Sequence, residues 1–177
     1  MLTLGQMIDL LIFILPAYFA NSSPVFFRTG KSKTPMDMKM KFYDSRRVLG
    51  EGKTWMGFLV GIAAGTLVGY LTYVFGLLRF YPTLEQHLLV AFLLSFGTMV
   101  GDAAGSFVKR RLAMAKGKPF YPLDQLSFLV VALIFVLPLR PDLLGLTAFV
   151  FLLIVTLVVH TSANVIAYKV GLKKDPW

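Results

Sequence analysis

The sequence predicts an all-α integral membrane protein. It forms a single domain over residues 1–177 with five transmembrane helices, the N-terminus outside and the C-terminus in the cytoplasm. Three observations predict this. The chain is 56% hydrophobic and only 15% charged, whereas a soluble domain is about half apolar and a quarter charged. The apolar residues fall in long blocks. The cations alternate in sidedness: eight Lys and Arg lie within 28–53, five within 109–118 and three from Lys169 onward, against only Arg79 and Arg140 in the loops between. Basic loops stay cytoplasmic, and this split fixes the orientation of a five-span chain.

The first block, residues 4–20, is near the short limit of about 17 residues for a span. Asp9 lies inside it and no Lys or Arg precedes it, which argues against a cleaved leader. "ANSSP", residues 20–24, is expected to stop this helix at the inner surface. Asn21 is then either a helix-end residue or a polar wall of a site. The second block, 55–78, opens on Trp55, a residue suited to the membrane interface. It carries Gly57, Gly61, Gly65 and Gly69. The third block, 88–108, carries Gly97, Gly101 and Gly105. Both sets repeat every four residues and strip one helix face of side chains, so helices 2 and 3 are expected to pack against each other. The fourth block, 124–139, is again short. The fifth, 143–170, is long enough to project beyond the bilayer. The chain has no cysteine, which excludes disulfides and thiolate chemistry.

Chemistry concentrates at the inner end of helix 3. "GDAAGSFVKRR", residues 101–111, places Asp102, Ser106, Lys109 and Arg110 at intervals of four, seven and eight, on one helical face. Asp124 opens helix 4 beneath the same basic loop. Two readings are open. Two carboxylates beside a hydroxyl and several cations suit Mg²⁺ with phosphates, because Mg²⁺ takes one or two carboxylates plus phosphate oxygens. Alternatively, each carboxylate pairs with a nearby Lys or Arg, and Asp124 caps helix 4.

"GEGKTWMGF", residues 50–58, contains GKT but is not a P-loop. That motif needs a glycine six residues before the lysine, where Arg47 stands, and a preceding strand. Lys53 and Thr54 nevertheless sit at the start of helix 2, where free N–H groups favour anions. Lys53 either grips an anion there or snorkels to headgroups. Near the end of the chain, His160, Asn164 and Tyr168 recur every four residues. They are either packed and hydrogen-bonded or in contact with substrate.

"GDAAGSFVKRR" followed by "PLDQLSF" resembles the signature of membrane CTP:phosphatidate cytidylyltransferases, the CDP-diacylglycerol synthases. That signature runs GD, a serine four residues on, a basic pair, then a DRxDS-like stretch. "GKTWMGF" resembles their lysine-containing KTWEG segment. The compact length, "GEGKTW" and "HTSANVIAYKVGLKKDPW" are similar to the archaeal branch that makes CDP-archaeol. The resemblance covers nearly the whole chain and implies a transmembrane cytidylyltransferase. Its substrates would be CTP and digeranylgeranylglyceryl phosphate, its cofactor Mg²⁺ and its surroundings membrane lipids, with no nucleic-acid partner. The active site would face the cytoplasm from the cell membrane. Carried over residue by residue, Asp102 and Asp124 would be metal ligands, with Lys53 catalytic beside them. Ser106, Lys109 and Arg110 would lie near the nucleotide phosphates. Beside the matched motif, Thr54, Arg111, Lys116, Ser127, Asn21, His160 and Asn164 are candidate substrate contacts by their place in the sequence. The match departs at Gln125 and Ser127, where the family has arginine and its second aspartate. A cation channel or transporter with Asp102 in the pathway, and a non-catalytic protein that binds anionic lipid, are the alternatives.

The charge split makes a direct prediction about sidedness. Cysteines introduced as Lys39→Cys and Lys173→Cys should resist impermeant thiol reagents in intact cells. Rapid labelling of either would overturn the orientation.

Overall fold

The computed structural model describes residues 2–26, 34–77, 82–115, 118–141 and 145–171. Five helices follow in order: α1 (Leu4–Phe26), α2 (Trp55–Val74), α3 (Leu84–Arg111), α4 (Leu123–Val136) and α5 (Leu146–Lys169). The described residues form no strand, only two isolated bridges. α1, α2, α3 and α5 are each long and apolar enough to cross a membrane. α4 has 14 residues, about 21 Å at 1.5 Å per residue, short of a hydrocarbon core of about 30 Å. Pro138 lies just beyond it, and a residue before proline disfavours helix.

α1 runs past the stop expected at "ANSSP" and ends at Phe26, with Pro16 and Pro24 inside it. Pro24 has no N–H to give the Ala20 carbonyl, four residues back. The Ser23 hydroxyl bonds that carbonyl instead, at 3.4 Å, and Ser22 bonds the Phe19 carbonyl at 3.4 Å. The Ala20 carbonyl therefore keeps a partner within the helix, as a membrane favours. α3 exceeds its expected span at both ends. Thr83 caps its start by accepting from the Gln86 N–H at 3.3 Å, and the cationic run Lys109–Arg110–Arg111 forms its last turn, where the helix dipole favours positive charge.

Helices α2 and α3 pack against each other as expected, through the α2 ladder, while the α3 ladder faces α4. A Cβ on Gly97, Gly101 or Gly105 would strike α4: Ala132 Cα at 2.7 Å, the Ser127 carbonyl at 2.5 Å and Ser127 Oγ at 2.9 Å, respectively. The α2 ladder faces both α1 and α3. A Cβ on Gly65 would meet Ser95 Oγ at 2.2 Å and the Pro16 carbonyl at 2.4 Å, and one on Gly69 would meet Ala91 Cβ at 2.1 Å. α3 is thus gripped on two sides, its own glycines admitting α4 and its small residues Ala91 and Ser95 admitting α2. Close approach of this kind is how helices associate where lipid removes the hydrophobic drive.

Larger side chains fill the remaining interior. Phe13 and Ile14 of α1, Leu94 of α3, Phe128, Leu129 and Leu133 of α4, and Leu152 of α5 form the core. The outward faces are apolar as well, with Leu59 and Leu67 of α2, Ile134 of α4 and Ile154 and Val158 of α5 exposed. Such a surface suits lipid rather than water. At one end of the α2–α3 contact, Thr72 Oγ1 lies 3.0 Å from His87 Nε2 and also bonds the Gly69 carbonyl at 2.8 Å.

A methyl group at Gly101 would meet backbone on α4, at the Ser127 carbonyl and at 2.8 Å from Phe128 Cα, and backbone cannot rotate away. Gly101→Ala should lower stability by about 1–3 kcal/mol, the usual cost of overpacking, visible as a lower Tm in detergent. Gly145→Ala, with nothing within 4 Å of its Cβ, should melt like the parent. Equal melting of the two variants would contradict the α3–α4 contact.

Candidate active site

The starts of α2 and α4 and the end of α3 converge at one end of the bundle, under the 34–54 loop. The loop is built around a buried carboxylate. Asp37, with its side chain fully shielded, accepts from Arg47 Nη2 at 2.5 Å and Nε at 3.2 Å. It also accepts from the backbone N–H groups of Lys39 at 3.1 Å, Leu49 at 3.1 Å and Gly50 at 2.9 Å. Burial pushes the Asp37 carboxyl up, but the guanidinium and the three amides outweigh it and hold the group well below the usual carboxylate range. Asp37 in turn raises Arg47. Bridges pair Pro35 with Thr54 and Lys41 with Arg47.

This loop delivers Lys53. The Lys53 carbonyl accepts from the Met36 N–H at 2.8 Å, and Trp55 N–H donates to the Thr34 carbonyl at 3.2 Å. Thr54 is the N-cap of α2, its hydroxyl accepting from the Gly57 N–H at 3.1 Å. With its backbone fixed, Lys53 reaches α3 and donates to Asp102 Oδ2 at 2.5 Å. A second pair is built the same way. Lys109 of α3 donates to Asp124 Oδ2 of α4 at 2.7 Å. The same oxygen accepts from the Phe120 N–H at 2.9 Å. Asp124 therefore ties the loop before α4 rather than capping α4, whose N-cap is Pro122 with no side-chain bond. Both carboxylates stay about one-third exposed, 33% for Asp102 and 29% for Asp124. No described residue bonds their Oδ1 atoms.

Asp102 and Lys109 lie seven residues apart and so share a face of α3. The structure thus places Lys53, Asp102, Lys109 and Asp124 at one end of the bundle, as two cross-element ion pairs. Arg110 sits beside the loop: a Cβ on Gly50 would lie 3.7 Å from its Cδ. Gly50 has φ +89°, a conformation that glycine adopts without strain. Ser106 is half-buried on α3. Ser127 Oγ faces Gly105 across the α3–α4 contact.

Arg111 points the other way. Its Nη1 donates to Asp44 Oδ1 at 2.8 Å, and Nη2 to the Arg47 carbonyl at 2.6 Å. The guanidinium lies over Phe42 and Phe107, 4.8 Å and 5.0 Å from the ring centroids. His160 and Asn164 lie on α5, with Asn164 Nδ2 3.2 Å from His160 Nδ1 and the imidazole 5.9 Å from the Phe128 ring. His160 thus packs beside α4. Asn21 is half-buried inside α1. Lys116 falls outside the described residues. Sequence reasoning did not single out Asp37 or Asp44, which organise the loop. Their signal was present: with Glu51, they are the carboxylates of a segment that carries eight cations. Among the described residues, no three His, Asp or Glu side chains form a group that would hold a metal by themselves.

Comparison with known proteins decides the family. A family model described as CarS-like, CDP-archaeol synthase, matches residues 3–177. The chain belongs to the CDP-archaeol synthase family. Relatives of that name from Pyrococcus horikoshii and Thermococcus gammatolerans are 48% and 49% identical over 174 residues, covering 98% of this chain and 99% and 98% of theirs. The one from Methanocaldococcus jannaschii is 43% identical and covers 93% of each chain. A solved structure described as an intramembrane enzyme for archaeal membrane lipids biosynthesis superposes with a TM-score of 0.73 at 34% identity, over 87% of this chain and 91% of the other. All-α membrane architecture and family membership thus agree. In this CDP-archaeol synthase family member, the site end is assembled by ion pairs between elements.

The Asp37 cluster predicts a pH dependence. A carboxyl held below its unfolded value stabilises the fold above that value, about 3.9 for aspartate, and loses the contribution only as pH falls through the depressed one. The Leu49 and Gly50 amides should therefore keep their exchange protection, corrected for intrinsic rate, from pH 7 down to about 4. Asp37→Asn should weaken it even at pH 7, because the side chain loses the charge that holds Arg47 and one of the two oxygens that accept. Full protection in Asp37→Asn would sink this account of the loop.

Proposed function

We propose that this protein joins CTP to unsaturated archaetidic acid, 2,3-di-O-geranylgeranylglyceryl phosphate. The products are CDP-2,3-di-O-geranylgeranylglycerol and pyrophosphate. The observation that carries the reading is the meeting of Lys53–Asp102 and Lys109–Asp124 at one end of an intramembrane bundle. That the chain matches an enzyme family end to end favours it over a cation pathway or a passive lipid-binding protein.

The chemistry needs little proton management. An oxygen of the lipid phosphate monoester, already anionic at neutral pH, attacks the α-phosphorus of CTP. The new P–O bond forms as the bond to the β-phosphate breaks, and that electron pair leaves on pyrophosphate. The obstacle is repulsion between two polyanions, so catalysis is positioning plus charge stabilisation. Lys53, Lys109 and Arg110 grip phosphates, and Ser106 and Ser127 offer hydroxyls between α3 and α4. Thr54 contributes by fixing the start of α2 beside Lys53. The lipid chains lie along the apolar helix faces, with the phosphate at the cytoplasmic surface of the cell membrane.

Asp102 and Asp124 would hold Mg²⁺. The residues fit it: each carboxylate is partly exposed, offers hard oxygen, and has an Oδ1 that no described residue bonds. Two carboxylates leave the remaining positions to phosphate oxygens and water, which is how Mg²⁺ is usually bound. When bound, the ion would neutralise charge on the triphosphate and the leaving pyrophosphate.

Purified protein given labelled CTP, Mg²⁺ and digeranylgeranylglyceryl phosphate should form a CDP-lipid; absence of product with any lipid phosphate would end this reading. Asp102→Asn and Asp124→Asn should each lower turnover by about 10²–10³, the usual loss of one electrostatic contact. Ser127→Ala should be milder. If Asp102→Asn melts several degrees lower yet turns over normally in Mg²⁺, its carboxylate serves only the ion pair with Lys53.

A further inference from the structure

Arg111 ends the cationic run of α3, one residue past Arg110, and pattern alone would give both to phosphate. The geometry separates them. Both terminal nitrogens of Arg111 are committed to the 34–54 loop, Nη1 to Asp44 at 2.8 Å and Nη2 to the Arg47 carbonyl at 2.6 Å, with the Arg46 carbonyl at 3.5 Å. Its Nε is buried without a partner. Phe42 from the loop and Phe107 from α3 flank the guanidinium, and the two rings meet edge to face, 5.5 Å apart. The side chain is 17% exposed. Arg46 returns the contact, its Nη1 donating to the Arg111 carbonyl at 3.2 Å, one of the carbonyls left open at the end of a helix. A guanidinium offers a planar fork and a stacking face, and both are used here. Both terminal nitrogens of Arg111 are thus taken by the loop.

We propose that Arg111 is a positioning residue that clamps the 34–54 loop onto the end of α3, and that it does not grip substrate. The proposal rests on the reading of the protein as a cytidylyltransferase. The reason the clamp matters lies in what the loop delivers. From the clamped Arg46–Arg47 turn the chain passes through Leu49 and Gly50, both bonded to Asp37. Gly50 then packs against Arg110, and Lys53 reaches Asp102. Arg111 thus sets the distance between the loop, which supplies Lys53, and α3, which supplies Asp102 and Arg110. Asp44 is its counter-anchor, and it takes no part in the proposed phosphate grip.

That last point gives the test. Arg111→Lys keeps the charge but loses the fork and the stacking, and Asp44→Asn breaks the same clamp from the other side. If Arg111 positions the loop, both variants should expose the Lys39–Arg47 stretch to trypsin at least about tenfold faster than the parent. Both should lower kcat/KM by about 10–10²-fold, the scale of a misplacement of about 1 Å. The double variant should be no worse than the more severe single one, since the two changes break one interaction. If Arg111 grips the triphosphate, Arg111→Lys should raise KM for CTP with the loop still protected, and Asp44→Asn, which removes a competing carboxylate, should leave KM unchanged or lower it. That pattern, or unchanged trypsin protection in both variants, overturns the proposal. The proteolysis is read without substrate, so failure of the clamp and failure of the cytidylyltransferase reading remain distinguishable: absence of CDP-lipid from the parent protein bears on the second alone.

Discussion

Ion pairs across breaks in the chain hold the working end of this bundle together, because a carboxylate at the edge of an apolar interior is costly unless a cation meets it. Asp102 of α3 is met by Lys53 from before α2, and Asp124 of α4 by Lys109 of α3. Asp44 of the loop is met by Arg111 at the end of α3, and Asp37 by Arg47 within the loop. Each pair except the last joins two different elements. Together they tie the loop to α3, the start of α2 to α3, and α3 to α4. Hydrophobic burial cannot supply this register, since lipid is as apolar as the helix faces it wets.

The pairs form only because the helices come close enough for them. Lysine is long, but its reach is limited, and α3 must approach α4 to within backbone contact for Lys109 to meet Asp124. Gly97, Gly101 and Gly105 allow that approach, and Asp124 lies on the turn before Ser127, whose carbonyl faces Gly101. On the other flank, Gly61 admits Met99, and Gly65 admits Ser95 and the Pro16 carbonyl, which sets α2 and hence Lys53 at its head. Removal of side chains in the membrane and placement of charges at its edge are therefore one design, with the first setting the tolerance of the second.

Much of this was legible in the sequence, and the parts that were not have physical reasons. The helices and the one-sided cations follow from composition, and Asp102, Lys109 and Asp124 stood out because ionisable residues at that depth need a purpose. The end of α1 was misread because "ANSSP" carries every sign of a stop, and only the local rescue of the Ala20 carbonyl by Ser23 shows why it is not one. The packing of α2 on α3 was legible, but that the α3 glycines admit α4 was not, because a glycine face records that something approaches closely, and not what. The alternative of an ion pair looked for a Lys or Arg near Asp102 in sequence, whereas Lys53, 49 residues away, holds it. Sequence spacing sees contacts along one helix; it is blind to contacts made by a folded loop. Asp37 and Asp44 escaped notice for the same reason.

The charge balance of the site bears on the proposed chemistry. Lys53 and Lys109 are each paired with a carboxylate, and Arg111 with Asp44. The two lysines nearest Asp102 and Asp124 are thus already occupied. A site meant only to hold anions would dispense with Asp102 and Asp124 and leave its lysines free, so the carboxylates need a reason of their own. A divalent cation is a sufficient one. Asp102 and Asp124 would hold it, and Lys53 and Lys109 would then be free to meet phosphate oxygens. The closed pairs also keep the charges satisfied before substrate arrives, at an edge where a bare lysine beside a bare aspartate would cost more than either bound state. The partial exposure of the carboxylates, 33% at Asp102 and 29% at Asp124, would let such an ion reach them.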